Sequence, residues 1–218
     1  MMRSLYTAAS GMEAQQYNMD TISNNLANVN TQGFKSNQAR FQDLVYQQIQ
    51  APGAPVGASI VPVGQQVGLG VKVSDSEKVF TQGSLVQTSN NLDVAVEGDG
   101  FFQITLPDGT VTAQVPGSVQ PQTLGQLQLA RFVNPAGMAP TGDNLYLETA
   151  ASGPPIVSTP GLNGTGILED GFLENSNVSV VNEMVNMIVA QRAYEANSKA
   201  IGAADQMLQT AIQMSPFQ

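Results

Sequence analysis

Residues 5–35 read LYTAASGMEAQQYNMDTISNNLANVNTQGFK, and a helical seam is written into them. Leu5, Met12, Met19 and Leu26 recur every seven residues, with Ala8, Gln15, Ile22 and Val29 three places behind. Together they form an a/d stripe with one polar break, at Gln15, the pattern of a helix that buries a seam along its length. No proline interrupts it, so a helix of about 25 residues, roughly 37 Å long, is expected to reach Val29. It should stop at Gly33, behind the polar Asn30-Thr31-Gln32. Asn24, Asn25, Asn28 and Asn30 crowd its last turns. Asparagine competes for backbone hydrogen bonds and forms helices poorly. It serves here either as a cap on a fraying end or, buried in an assembly, as a pin that fixes register.

A second stripe lies at the other end. Val180, Met187, Tyr194, Ile201 and Leu208 fall seven apart. The row taken as their partner, Met184, Gln191, Ser198, Asp205 and Ile212, is apolar only at its two ends. Ser179 is placed to cap this helix, Glu183 suits the positive end of its dipole, and Pro216 marks its limit. Two long stripes around a non-helical middle favour pairing with each other or with other copies.

The middle reads as β. Gly70–Val73 and Leu92–Val96 alternate, and Phe101–Leu106, Gln126–Phe132 and Asn144–Leu147 look like short strands. Turn residues punctuate them at Asn90-Asn91, Gly98-Asp99-Gly100, Pro107-Asp108-Gly109, Asn134-Pro135 and Gly142-Asp143. Residues 51–68 and 153–166 each hold three Pro and four Gly and read as irregular extended connectors. The expected fold is therefore α+β. Terminal helices at 1–33 and 177–218 pair in a coiled-coil-like domain. A Pro/Gly-rich connector spans 34–68, and a mostly antiparallel β domain with its return connector spans 69–176.

Composition narrows the chemistry. Eight Lys and Arg against 17 Asp and Glu leave a net charge of −9, the wrong sign for a nucleic-acid backbone and for a basic membrane-surface helix. Sixteen Asn and 23 Gln outnumber the charged residues, so most polar contacts are neutral and salt screens them weakly. There is no His, Cys or Trp, which removes Ser-His-Asp and Cys-His catalysis, the usual zinc and haem ligands, and every disulfide. No cofactor or metal is expected. Residues 1–19 lack the basic start, apolar run and cleavage site of a secretory signal, and no stretch is long and apolar enough for membrane insertion. Asp93, Glu97 and Asp99 form the one acidic cluster, in a turn-rich context that suits solvent better than catalysis. The glycines of 161–166 do not make a dinucleotide fingerprint and read as a flexible loop.

The run Ser23–Lys35 closely resembles the N-terminal signature of the flagellar axial proteins, the family of rod, hook and hook-associated subunits. Residues 183–188 (EMVNMI) and 191–200 (QRAYEANSKA) resemble the family's C-terminal signature. Within the family, residues 46–54 (YQQIQAPGA), 158–164 and 93–102 look like the distal rod type, so the likeness covers nearly the whole chain. That type usually carries several tens of additional residues near Pro107–Thr110, where this chain runs straight into Val111-Thr112.

The resemblance implies a structural subunit, not an enzyme, that leaves the cell by the flagellar export apparatus and polymerises into the rod crossing the periplasm to carry torque to the hook. Its implied partners are copies of itself, other rod subunits and hook protein, and the surrounding ring (bushing) proteins. The assembly residues it implies are Leu5, Met12, Met19, Leu26, Asn24, Asn25, Asn28, Gly33, Phe34, Val180, Met187, Tyr194, Ile201 and Leu208. Tyr46, Ile49, Pro52 and Gly53 mark the rod-specific connector. The other readings are a proximal rod or hook subunit, a coiled-coil adaptor that stops at dimers, and a wall hydrolase using Asp93–Asp99.

Overall fold

The computed structural model describes residues 2–51, 53, 55–56, 59–60, 63–105, 111–114 and 127–213. The chain divides into two compact units, one of Met1–Ser23, Ala39–Ser76 and Met184–Gln218, the other of Asn24–Gln38 and Glu77–Glu183. With terminal helices and a central antiparallel β region, the fold is α+β.

Helix α1 (Met2–Ala27) carries the stripe as read, ending two residues sooner than expected. Ala8, Ala14 and Ile22 are buried, while Leu5, Met12, Met19 and Leu26 are half-buried. Helix α2 (Val180–Gln213) begins one residue after Ser179, whose carbonyl accepts the Glu183 amide at 2.9 Å. Its second row, however, is not the expected one. Gln191, Ser198 and Asp205 are exposed, whereas Ala190 and Ala204 are buried and Asn197 is half-buried. The offset is three residues, as in α1. Alanine carries little hydrophobic signal, but its small side chain lets another helix come close. The approach is visible at Gly11, where an added Cβ would lie 2.7 Å from Asn197 Nδ2.

The rest of the first unit is β ribbon. Strands β1 (Asn37–Asp43), β2 (Tyr46–Gln50), β3 (Pro55–Val56), β4 (Ser59–Ile60), β5 (Gln65–Gly68) and β6 (Val71–Lys78) follow in order. β1 neighbours β6, β2 pairs antiparallel with β5, and β3 pairs with β4. The connector expected to be irregular and extended thus folds back on itself. In the register of β2 and β5 Tyr46 lies opposite Gly68, where an added Cβ would come 3.4 Å from the ring. Pro52 falls outside the described residues; Gly53 is in a turn with φ +82°. Gly70, at φ +119°, is required where it stands, because a Cβ there would run into Ser10 Oγ. The same Oγ accepts the Val71 amide at 3.4 Å.

The second unit holds β7 (Leu85–Gln87), β8 (Val94–Glu97), β9 (Phe101–Thr105), β10 (Val111–Gln114), β11 (Leu129–Arg131), β12 (Ala139–Gly142), β13 (Leu145–Leu147), β14 (Ile156–Ser158), β15 (Ile167–Asp170) and β16 (Phe172–Glu174). Six make one antiparallel sheet in the order β12-β13-β10-β9-β11-β14, and β15–β8 and β16–β7 form separate pairs. Successive residues of β9 point to opposite faces, and each face has its own core. Phe101 joins Ala113, Ala130, Phe132, Met138 and Tyr146, with Phe80 edge-on to Phe101 and Tyr146 at 5.5 and 5.4 Å. Phe102 joins Val96 and Leu129. Full burial of such side chains contributes about 1.5–3 kcal/mol each. Residues 153–166, the other expected connector, contain β14 and a turn held by Thr165 Oγ1 donating to Leu162 O at 2.6 Å. The junction near 108–111 lies outside the described residues except for Val111, which pairs with Thr105.

Candidate assembly interface

The features that the hydrophobic cores do not absorb fall into two sets, an uncovered apolar face and a buried polar bracket. The face is on α2. Met184, Val185, Ile188 and Val189 are 53%, 54%, 55% and 62% exposed, and at spacings of three and four they lie together on the helix surface. Met207 and Ile212 are exposed near its far end, as are Met2 and Tyr6 at the start of α1. A soluble monomer rarely leaves large aliphatic side chains clustered in water, so this face is a candidate surface for contact with another protein. The ribbon adds Tyr46, Ile49 and Val67, all exposed.

The bracket gathers the asparagine-rich turn. Asn25, only 2% exposed, accepts the Asn37 amide at 2.8 Å and donates to Asn37 O at 2.8 Å and to Glu183 Oε1 at 3.1 Å. Asn28 Nδ2 returns to Asn24 O at 2.9 Å, so it caps its own helix end. Gly33, at φ +67°, donates its amide to Glu174 O at 2.8 Å, and Phe34 is buried beside it. Lys35 Nζ lies 2.7 Å from Glu174 Oε1 and 2.9 Å from Thr81 O, and the same carboxylate oxygen accepts the Gly83 amide at 2.7 Å. Asn177 accepts the Ser36 amide and donates to Val79 O and Thr81 O. The polar run therefore ties together the entry and exit of the β unit. Of the two roles open to these asparagines, Asn25 takes a third, a fully bonded pin within one chain.

The expected assembly residues divide accordingly. Leu5, Met12, Met19, Leu26, Met187, Ile201 and Leu208 are half-buried within the chain. Asn25, Gly33 and Phe34 are buried in the bracket. Val180 and Tyr194, read as part of the seam, are 40% and 36% exposed. Sequence reading missed Lys35, Glu174, Asn177 and Glu183 as a set, although a lone Lys and Glu amid apolar and amide neighbours is a usable signal. It also missed the α2 face, for which the run of Val180, Val181, Met184, Val185, Met187, Ile188 and Val189 was the clue: too apolar for a single seam. Asp93 is bonded to Asn90 Nδ2 at 3.0 Å, and Glu97 and Asp99 are exposed at the surface. Among the described residues no three acidic side chains gather as metal ligands, and no helix is long and apolar enough to cross a membrane.

Comparison with known proteins places both ends in one family. Residues 5–35 match the flagella basal body rod protein model, and residues 169–214 match the C-terminal model of the flagellar basal body rod FlgEFG proteins. The flagellar basal-body rod protein FlgG of Borreliella burgdorferi is 44% identical, covering 95% of this chain and 97% of its own. That of Buchnera aphidicola subsp. Acyrthosiphon pisum is 43% identical, covering 98% and 100%. The Borreliella alignment runs over 256 positions, more than this chain's 218 residues, so the relative carries residues absent here. The hook protein FlgE of Treponema pallidum is 49% identical over 105 residues, but these cover 47% of this chain and 22% of the hook protein. Nearly end-to-end likeness to rod proteins, a signature at each terminus and a fold built around those two signatures make this chain a member of the FlgG-type flagellar basal-body rod proteins, structural components of the basal body rather than enzymes.

Proposed function

We propose that this chain polymerises head-to-side into the distal rod of the basal body, and that the rod crosses the periplasm and passes motor torque to the hook. The observation that carries this reading is the uncovered Met184-Val185-Ile188-Val189 face of α2 in a chain whose family builds rods. Its burial between copies supplies the association energy, at about 25 cal/mol per Å². Identical heterologous contacts that do not close make an open helical filament. Terminal helices pair coiled-coil fashion, and the β unit meets the surrounding ring proteins. Other rod subunits and hook protein cap the two ends. Export proceeds through the flagellar apparatus.

In this reading the ribbon of residues 46–68 lies along neighbouring subunits through Tyr46 and Ile49 and stiffens the polymer. Sedimentation and electron microscopy of the purified chain across a concentration range test the proposal. Growth without saturation into straight rods is expected, and a ceiling at dimers would refute it. Removing residues 51–64 should leave rods that form but bend.

A further inference from the structure

Besides the buried Lys35 the β unit contains a half-buried cation, and its surroundings differ sharply. Lys78 packs its ammonium over the Phe34 ring, 5.1 Å from the centroid, and 5.9 Å from that of Tyr146. Its hydrogen bond goes to a neutral acceptor, Lys35 O, at 3.3 Å. Among the described residues no carboxylate lies within ion-pair distance of it, whereas Lys35 is fully neutralised by Glu174. Burial without a counter-charge lowers the Lys78 pKa from its usual value, the mark of an ammonium short of compensation. The side chain lines an open cleft of about 320 Å³ together with Asn24, Asn28, Thr31, Asp143 and Asn144. The side-chain amide of Asn24 and the second amide hydrogen of Asn28 can be offered to an anion, and Asp143, exposed in a turn with φ +49°, makes no ion pair with Nζ.

We infer that this cleft receives a carboxylate side chain from a second copy of the chain, with Lys78 as its counter-ion. Charge complementarity names the occupant. Copies bring 17 carboxylates against eight cations, and exposed acids such as Glu13, Asp20 and Asp205 stand on the terminal helices. A partly desolvated, unpaired cation gains more from such a partner than an exposed one, because water screens it less. The inference rests on polymerisation as proposed above.

Zero-length carbodiimide coupling on polymer grown from equal parts of normal and nitrogen-15-labelled chain tests it, because that reagent joins an amine only to a carboxylate in contact. Mass mapping should find Lys78 amide-linked to an Asp or Glu of the other isotope, at least several-fold above unassembled chain. Lys78→Gln should lose that link and raise the concentration needed for assembly about tenfold, with the melting of the β unit unchanged or higher. A Lys78 link only to Asp143 of its own isotope, or polymer with no Lys78 link, overturns this inference and leaves polymerisation standing. A chain that forms no polymer overturns both.

Discussion

The β unit and helix α2 handle apolar side chains in opposite ways. In the β unit Leu129, Ala130, Val96 and Tyr146 are at most 2% exposed, and the aromatic rings meet edge to face. Among the described residues of α2 the buried ones are alanines, and the larger side chains of Val185, Ile188 and Val189 stay half in water. A structure that ends at its own surface buries its largest side chains first, because the gain grows with apolar area. A helix that keeps small residues inside and large ones outside is instead built as part of a larger solid. The β unit closes cores of its own, although Leu92, Val133 and Leu162 stay exposed on it; in the proposed rod the helices are half of an interface.

The largest effect expected from this contrast comes from charging the outer face. Val185→Asp with Ile188→Asp should abolish polymer entirely, because the interface would trap two unpaired carboxylates. In the free chain both sites face water, so melting of the β unit should shift little. Sedimentation alongside thermal unfolding reads both, and polymer growth at the normal concentration would break the comparison. Ile201→Asp and Leu208→Asp sharpen it from the other side. Those residues are half-buried within the chain, so their loss should disturb the helices before assembly begins.

A smaller effect separates the bracket from the cores. Glu174→Gln leaves the Lys35 ammonium buried beside a neutral amide and should cost the β unit about 3–5 kcal/mol. The paired change Lys35→Met with Glu174→Leu should restore much of that loss, because neither charge then needs compensation. Urea unfolding followed by tyrosine fluorescence measures both; equal losses for the single and paired variants would contradict the account.

The smallest is a pH response confined to the β unit. Burial pushes the Tyr146 phenol up to about 12. The folded chain therefore keeps this proton over a range in which the unfolded chain has lost it. Stability is full below about pH 10 and falls by about 2–3 kcal/mol as the pH rises to 12. Lys78 acts with the opposite sign and is spent by its ordinary value of 10.5, so the decline above that belongs to Tyr146. Tyr146→Phe should flatten it in an alkaline melting series, and an unchanged decline would assign it elsewhere.

Periodicity alone determined the two terminal helices, the a/d stripe of α1 and the β character between them. A repeat of seven, or an alternation of two, is a property of the chain before it meets any neighbour. The hairpin of residues 46–68 was not legible in the same way, because Pro and Gly announce turns without saying that the flanks pair. Which row of α2 lies inside was decided by tertiary packing. Alanine at 190 and 204 and Asn197 are chosen for closeness of approach, and hydrophobicity does not record size. The asparagines announced themselves, yet only the fold assigned Asn25 to Asn37 and Glu183, a partner 158 residues away. The Lys35–Glu174 pair, 139 residues apart, is of the same kind. Short-range pattern is carried by the sequence; the pairing of single polar groups across such separations depends on where the folded backbone sets them down.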